Sequence, residues 1–79
     1  MTTAAEFNLL DYYEQMEFVL KSTFLADRLI EDFYIKLYAL DNYYIEVYFD
    51  DSSHLITHFK AFEHTVLVLP YLEQLKMAV

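Results

Sequence analysis

The chain contains no glycine. That removes the phosphate-cradling loops of P-loop and dinucleotide-binding proteins, where backbone must approach the ligand without a Cβ. It removes the glycine-flanked serine turn of the α/β-hydrolases as well. Any position at φ > 0 must be filled by Asn, Asp or another residue at a steric cost. Cysteine is also absent, which excludes disulfides and thiolate metal sites and fits a reducing cytoplasm. Basic side chains are scarce: five Lys and Arg stand against 13 Asp and Glu, for a net charge of −8. Direct nucleic-acid binding needs clustered cations to displace counterions, so that class is set aside. Anionic membranes are unfavourable for the same reason, whereas a basic protein partner is compatible. No apolar run approaches the roughly 18 residues of a membrane span. The opening residues carry Glu6, Asp11, Glu14 and Glu17 with no basic region, which is not the pattern of a signal peptide.

What is present is apolar and aromatic. Hydrophobic residues make up 57% of the 79, with eight Tyr and seven Phe. Residues 1–79 suit one small α+β domain, which buries only about 60% of its unfolded surface. Such a domain cannot enclose every ring, and exposed aromatics often mark interfaces.

The clearest pattern is an alternating hairpin. Phe33, Ile35, Leu37 and Ala39 alternate with Tyr34, Lys36, Tyr38 and Leu40. Tyr43, Ile45, Val47 and Phe49 alternate with Tyr44, Glu46, Tyr48 and Asp50. A period of two predicts strands over about 33–40 and 43–50. A two-residue Asp41-Asn42 loop would mix the two sets and place Lys36 among apolar residues. A three-residue Leu40-Asp41-Asn42 loop instead sets Ile35 opposite Val47, Leu37 opposite Ile45, and Tyr38 opposite Tyr44. Every cross-strand pair is then chemically uniform, and Asn42 takes the left-handed position of the loop. In that register Leu37, Ile45 and Val47 are core. Tyr34, Lys36, Tyr38, Tyr44, Glu46 and Tyr48 form one strip, either a protein interface or a second layer of core beneath a terminal helix.

Around the hairpin, Thr3-Ala4-Ala5-Glu6 reads as a capping box. It opens a helix over about 4–21 with the stripe Leu9, Tyr12, Tyr13, Met16, Val19 and Leu20. The stripe loses phase after Lys21. Restarting at Ser22 as N-cap gives a second helix over about 23–31 that buries Leu25, Ala26, Leu29, Ile30 and Phe33; one continuous bent helix is the alternative. Asp50-Asp51-Ser52-Ser53 is a turn. A third strand runs over about 55–62, with a bulge near Thr57 or His58 needed to reconcile Ile56, Phe59 and Phe62. Pro70 suits the first turn of a short helix over about 69–76, burying Leu72 and Leu75. The expected architecture is a three-stranded antiparallel meander with helices on its aliphatic face.

The segments Phe24-Leu25-Ala26, Leu37-Tyr38-Ala39-Leu40-Asp41-Asn42-Tyr43-Tyr44-Ile45-Glu46-Val47-Tyr48 and Pro70-Tyr71-Leu72-Glu73-Gln74-Leu75 resemble a family of short bacterial proteins of uncharacterised function. That family's pattern reads LYxLDGxYVEV, an Ile-Phe strand, then LxPYLEQI. The resemblance spans residues 24–76 and departs at Asn42, where the family has Gly. It implies no activity, substrate or site.

No catalytic, cofactor or metal constellation stands out. His54 and His58, four apart on a strand, would lie about 13 Å apart by the strand rise, and zinc ligands sit at about 2 Å. His64 cannot be placed. The acids of the first helix follow its solvated side, without the inward Glu-x-x-His of di-metal carboxylate sites. The expectation is a small non-enzymatic, cytoplasmic protein-interaction domain, most simply a homodimer. The alternative is an acidic inhibitor that mimics nucleic acid and binds a basic partner.

Overall fold

The computed structural model describes residues 2–71. Two helices come first, α1 (Ala4–Asn8) and α2 (Tyr12–Lys21). Four strands follow: β1 (Thr23–Ile30), β2 (Phe33–Leu40), β3 (Tyr43–Asp50) and β4 (Ile56–Phe62). A 3₁₀ segment, Thr65–Tyr71, closes the described chain. The strands form one antiparallel meander in the order β1-β2-β3-β4. The fold is α+β, with four strands where three were expected.

The Thr3–Glu6 capping box forms in both directions. A second box, Asp11 with Glu14, breaks the expected long helix by starting α2 afresh. The expected stripe is only partly buried: Val19 is buried and Met16 half-buried, while Leu9, Tyr13 and Leu20 face solvent. Phe7, outside that stripe, is the fully buried anchor of the helical layer.

Residues 23–31 are not a helix. Ser22 caps the C-terminus of α2, its hydroxyl donating to the Val19 carbonyl, and the chain then enters β1. The cause of the misreading is a bulge. Phe24 pairs with Tyr38 and Ala26 with Leu37, leaving Leu25 as an extra residue. The extra residue lets adjacent Leu25 and Ala26 join the same core cluster. That adjacency imitates helical spacing, and sheet pairing overrides the local helix propensity. Leu29 and Ile30, expected to be buried, are exposed.

The hairpin register also differs. The loop has two residues, so Tyr38 pairs with Ile45, Leu37 with Glu46, Lys36 with Val47 and Ile35 with Tyr48. Asp41, not Asn42, takes positive φ, at 51°. Paired residues share a face, so aliphatics of one strand sit beside tyrosines of the other. Chemical uniformity is required only when one face is wet, and here both faces are covered. Tyr43, Ile45, Val47, Phe59 and Ala61 pack beneath Ala4, Phe7 and Val19 of the helices. Ala26, Ile35, Leu37 and Phe62 form the opposite cluster with Tyr71 of the 3₁₀ segment. Leu37, Ile45 and Val47 are buried as expected, but on two faces rather than one. Lys36 lies on the helix-covered face as a half-buried stem, its amine above the rings of Tyr34 and Phe49 at 5.9 and 5.5 Å.

In β4 the anticipated bulge is present. Tyr48 pairs with His58 and Phe49 with Ile56, which leaves Thr57 unpaired. The bulge puts Ile56 and Phe59 on the helix-covered face, while Phe62 serves the other. The turn at 51–53 is held by the Asp50 carboxylate, which accepts from the Ser53 N–H at 2.8 Å. The expected helix over 69–76 is a 3₁₀ turn as far as Tyr71. Its remainder, with Leu72 and Leu75, lies outside the described residues.

Candidate functional site

The most polar buried point of the molecule is Glu46, 5% exposed in the middle of β3. It faces the side covered by the 3₁₀ segment. The Tyr71 hydroxyl donates to Glu46 Oε2 at 2.6 Å, and the Tyr48 hydroxyl donates to Oε1 at 3.0 Å. Arg28, reaching across from β1, places Nη2 3.5 Å from Oε2. A carboxylate buried in a sheet core requires such partners, since an unpaired charge there costs several kcal/mol. The guanidinium lies 5.0 Å from the Tyr71 ring centroid, so one tyrosine supplies both a hydrogen bond and a π face. Arg28 Nε is buried without a partner among the described residues.

The electrostatics follow from this packing. Burial, then Glu46, pushes the Tyr48 phenol up to about 12. Burial, then the hydrogen bond to Glu46, raises Tyr71 still more. Burial alone would lower Arg28, but its contacts with Tyr71 and Glu46 outweigh that and raise it. Both phenols therefore stay protonated donors through the neutral range. His58 stacks on Tyr48, with centroids 4.2 Å apart and planes 15° from parallel. A cleft of about 370 Å³ opens beside the cluster, lined by Arg28, Glu46, Tyr48, Lys60, Leu67, Leu69 and Pro70.

The six residues expected to form one strip are divided between the faces. Tyr34, Lys36 and Tyr38 lie on the helix-covered side, where Tyr34 donates to Asp27 and Tyr38 packs with Phe24. Tyr44, Glu46 and Tyr48 lie on the other side, in or beside the buried cluster. The two-residue loop is what separates them. Sequence reasoning missed Arg28 and Tyr71, because both come from segments read as helix. No three His, Cys, Asp or Glu side chains come together as a metal-holding group among the described residues. No helix of the described chain is long and apolar enough to cross a membrane.

The two sheet edges differ. At β4, the side chain of Asn8 spans Ala61: its Nδ2 donates to the Ala61 carbonyl at 2.9 Å and its Oδ1 accepts the Ala61 N–H at 2.8 Å. At β1, the only strand neighbour among the described residues is β2. Phe24 (50%), Leu29 (63%) and Ile30 (38%) are exposed along it, and Leu20 is exposed at the end of α2 just before it. No protein-family model, curated protein or solved structure matches the chain.

Proposed function

We propose that this is a non-enzymatic protein-interaction domain that pairs with a second copy of itself along β1. The observation that carries the reading is the inequality of the two sheet edges. β4 has a backbone site occupied by Asn8, whereas among the described residues no strand pairs with the outer edge of β1, which lies beside exposed Phe24, Leu29 and Ile30. An unpaired strand edge with apolar neighbours is a template for another strand. Charge favours the same place. The chain carries −8 overall, so two copies repel, but Thr23–Ile30 holds only Asp27 and Arg28 and is locally neutral. An antiparallel β1–β1 pairing about a two-fold axis would double the sheet and cover the apolar side chains that flank the edge.

Sedimentation velocity at micromolar concentration tests this on the wild type and on Phe24→Lys with Leu29→Lys. Both positions are exposed, so the double variant keeps its core. The expected result is a dimeric wild type and a folded monomeric variant. A strictly monomeric wild type removes the homodimer. The second reading, an acidic inhibitor that captures a basic partner, then predicts salt-sensitive binding of a nucleic-acid-binding protein by the same wild-type chain.

A further inference from the structure

The cleft beside Glu46 shares Arg28 with β1 but is otherwise lined from β3, β4 and the 3₁₀ segment, and its use is separate from the pairing proposed for the β1 edge. Its floor is polar and its wall apolar. Arg28 and Lys60, two of the five basic residues in the chain, line it together with the apolar Leu67, Leu69 and Pro70 and the ring of Tyr48. The one acid present, Glu46, already accepts from Tyr48, Tyr71 and Arg28. Local charge is therefore two positive against one negative and largely met, in a chain whose total is −8. Lys60 sits directly across from Glu46 on the neighbouring strand, yet it is exposed and makes no ion pair among the described residues. Arg28 reaches Glu46 through one 3.5 Å contact and also meets Tyr71, while its Nε has no partner among the described residues. A guanidinium can donate five hydrogen bonds, and the Arg28 side chain, 22% exposed, lines the cleft with more donors than these contacts use.

We propose that the cleft binds a small monocarboxylate with an apolar tail, its carboxylate between Lys60 and Arg28 and its tail along Leu67, Leu69 and Pro70. Charge complementarity selects the anion, because a single negative group brings the site to neutrality. The apolar wall selects against a bare ion such as acetate, which would leave exposed Leu67 and Leu69 in water. Size is consistent: about 370 Å³ holds roughly a dozen atoms at the ~30 Å³ that a water molecule occupies. It also falls within the usual range for small-ligand pockets.

The test uses octanoate as the probe, with octanol and acetate as controls, followed by amide chemical-shift titration of the full chain. Octanoate is expected to saturate with shifts confined to the residues around Arg28, Lys60 and 67–70. Octanol, with the tail but no charge, and acetate, with the charge but no tail, should each bind at least about tenfold more weakly, the factor one charge-assisted hydrogen bond supplies. Lys60→Met removes the cation at an exposed position and leaves the buried cluster whole, so the variant folds. It should weaken octanoate by about the same factor. Absence of saturation by octanoate overturns the proposal. So does equal binding of octanol, or an affinity unchanged in Lys60→Met.

Discussion

On the helix-covered side of the sheet, the buried centre is the Phe7 ring, with Phe18, Tyr43 and Phe59 at centroid distances of 6.3, 6.1 and 6.2 Å. On the opposite side, the buried centre is a carboxylate held by two phenols and a guanidinium. The first arrangement is non-directional. It depends on area removed from water and on the absence of voids. The second is directional, and each member is stable only because the others are there. The two faces should therefore fail differently: one in proportion to the volume lost, the other whenever a single partner is removed.

Phe7→Ala attacks the first face and should have the largest effect, about 3–5 kcal/mol from lost burial and the cavity left behind. In a domain of ordinary marginal stability, that unfolds much of the population. Denaturant midpoints measure it, and a loss below about 1 kcal/mol would show that the helices contribute little. Phe7→Leu, which keeps most of the apolar volume, should recover a large part of the loss.

Arg28→Met attacks the second face by leaving Glu46 buried with one partner fewer. The expected loss is about 3 kcal/mol, the low end for a broken buried pair, because the Arg28 side chain is still 22% exposed. Combining Arg28→Met with Glu46→Leu should recover only part of the loss: no charge is stranded, but the Tyr48 and Tyr71 hydroxyls lose their acceptor. A double-mutant cycle reads the coupling directly. If the two losses simply add, the cluster is not a unit and the contrast between the faces disappears.

Tyr71→Phe should cost about 1–2 kcal/mol by removing one donor to the buried carboxylate. Its pH signature is more specific. The Tyr48 phenol lies near 10.0 unfolded and about 12 folded, and Tyr71 is raised in the same direction. A raised folded value means that the contribution is complete below the unfolded value and is lost as pH climbs through the folded one. Melting temperature should thus hold to about pH 10 and fall between about 10 and 12. Tyr71→Phe, lacking one of the two phenols, should show a shallower fall. An identical alkaline slope would separate these tyrosines from the effect.

The smallest effect tests the register that assigns residues to faces. Asp41 stands at φ 51°, where glycine is unstrained, so Asp41→Gly should be stabilising by at most about 0.5 kcal/mol, the relief being partly offset by the freedom glycine adds to the unfolded chain. Asn42→Gly should give no such gain. The reverse outcome would restore the three-residue loop, and with it a single tyrosine strip.

The same comparison explains what was legible in the sequence. β2 and β3 could be read to their end residues, because period-two alternation is local. The Thr3–Glu6 box and the Thr57 bulge could be read for the same reason. The pairing of β2 with β3 could not be read. A preference for uniform faces discriminates only if one face meets water, and Lys36 is accommodated among rings instead of being excluded. β1 was hidden by Leu25, whose bulge copies a helical spacing. Glu46 was singled out, but as one member of a tyrosine strip that was either an interface or a second layer of core, not as the centre of a buried ion cluster. Its burial depends on Arg28 and Tyr71, 18 and 25 residues away, and no local pattern announces that they converge.

The amide of Asn8 has the donor and acceptor of a peptide unit, and at Ala61 it stands where a further strand would bond. A sheet with two available edges can grow without limit, each added copy exposing a fresh end. A sheet with one end occupied by its own side chain has a valence of one. Two such molecules that meet through β1 leave no β1 edge over, so the product is a closed pair rather than a fibre. Under the proposed β1 pairing, a single asparagine in a five-residue helix would act as a chain terminator. Its replacement by alanine would raise the number of reactive ends from one to two.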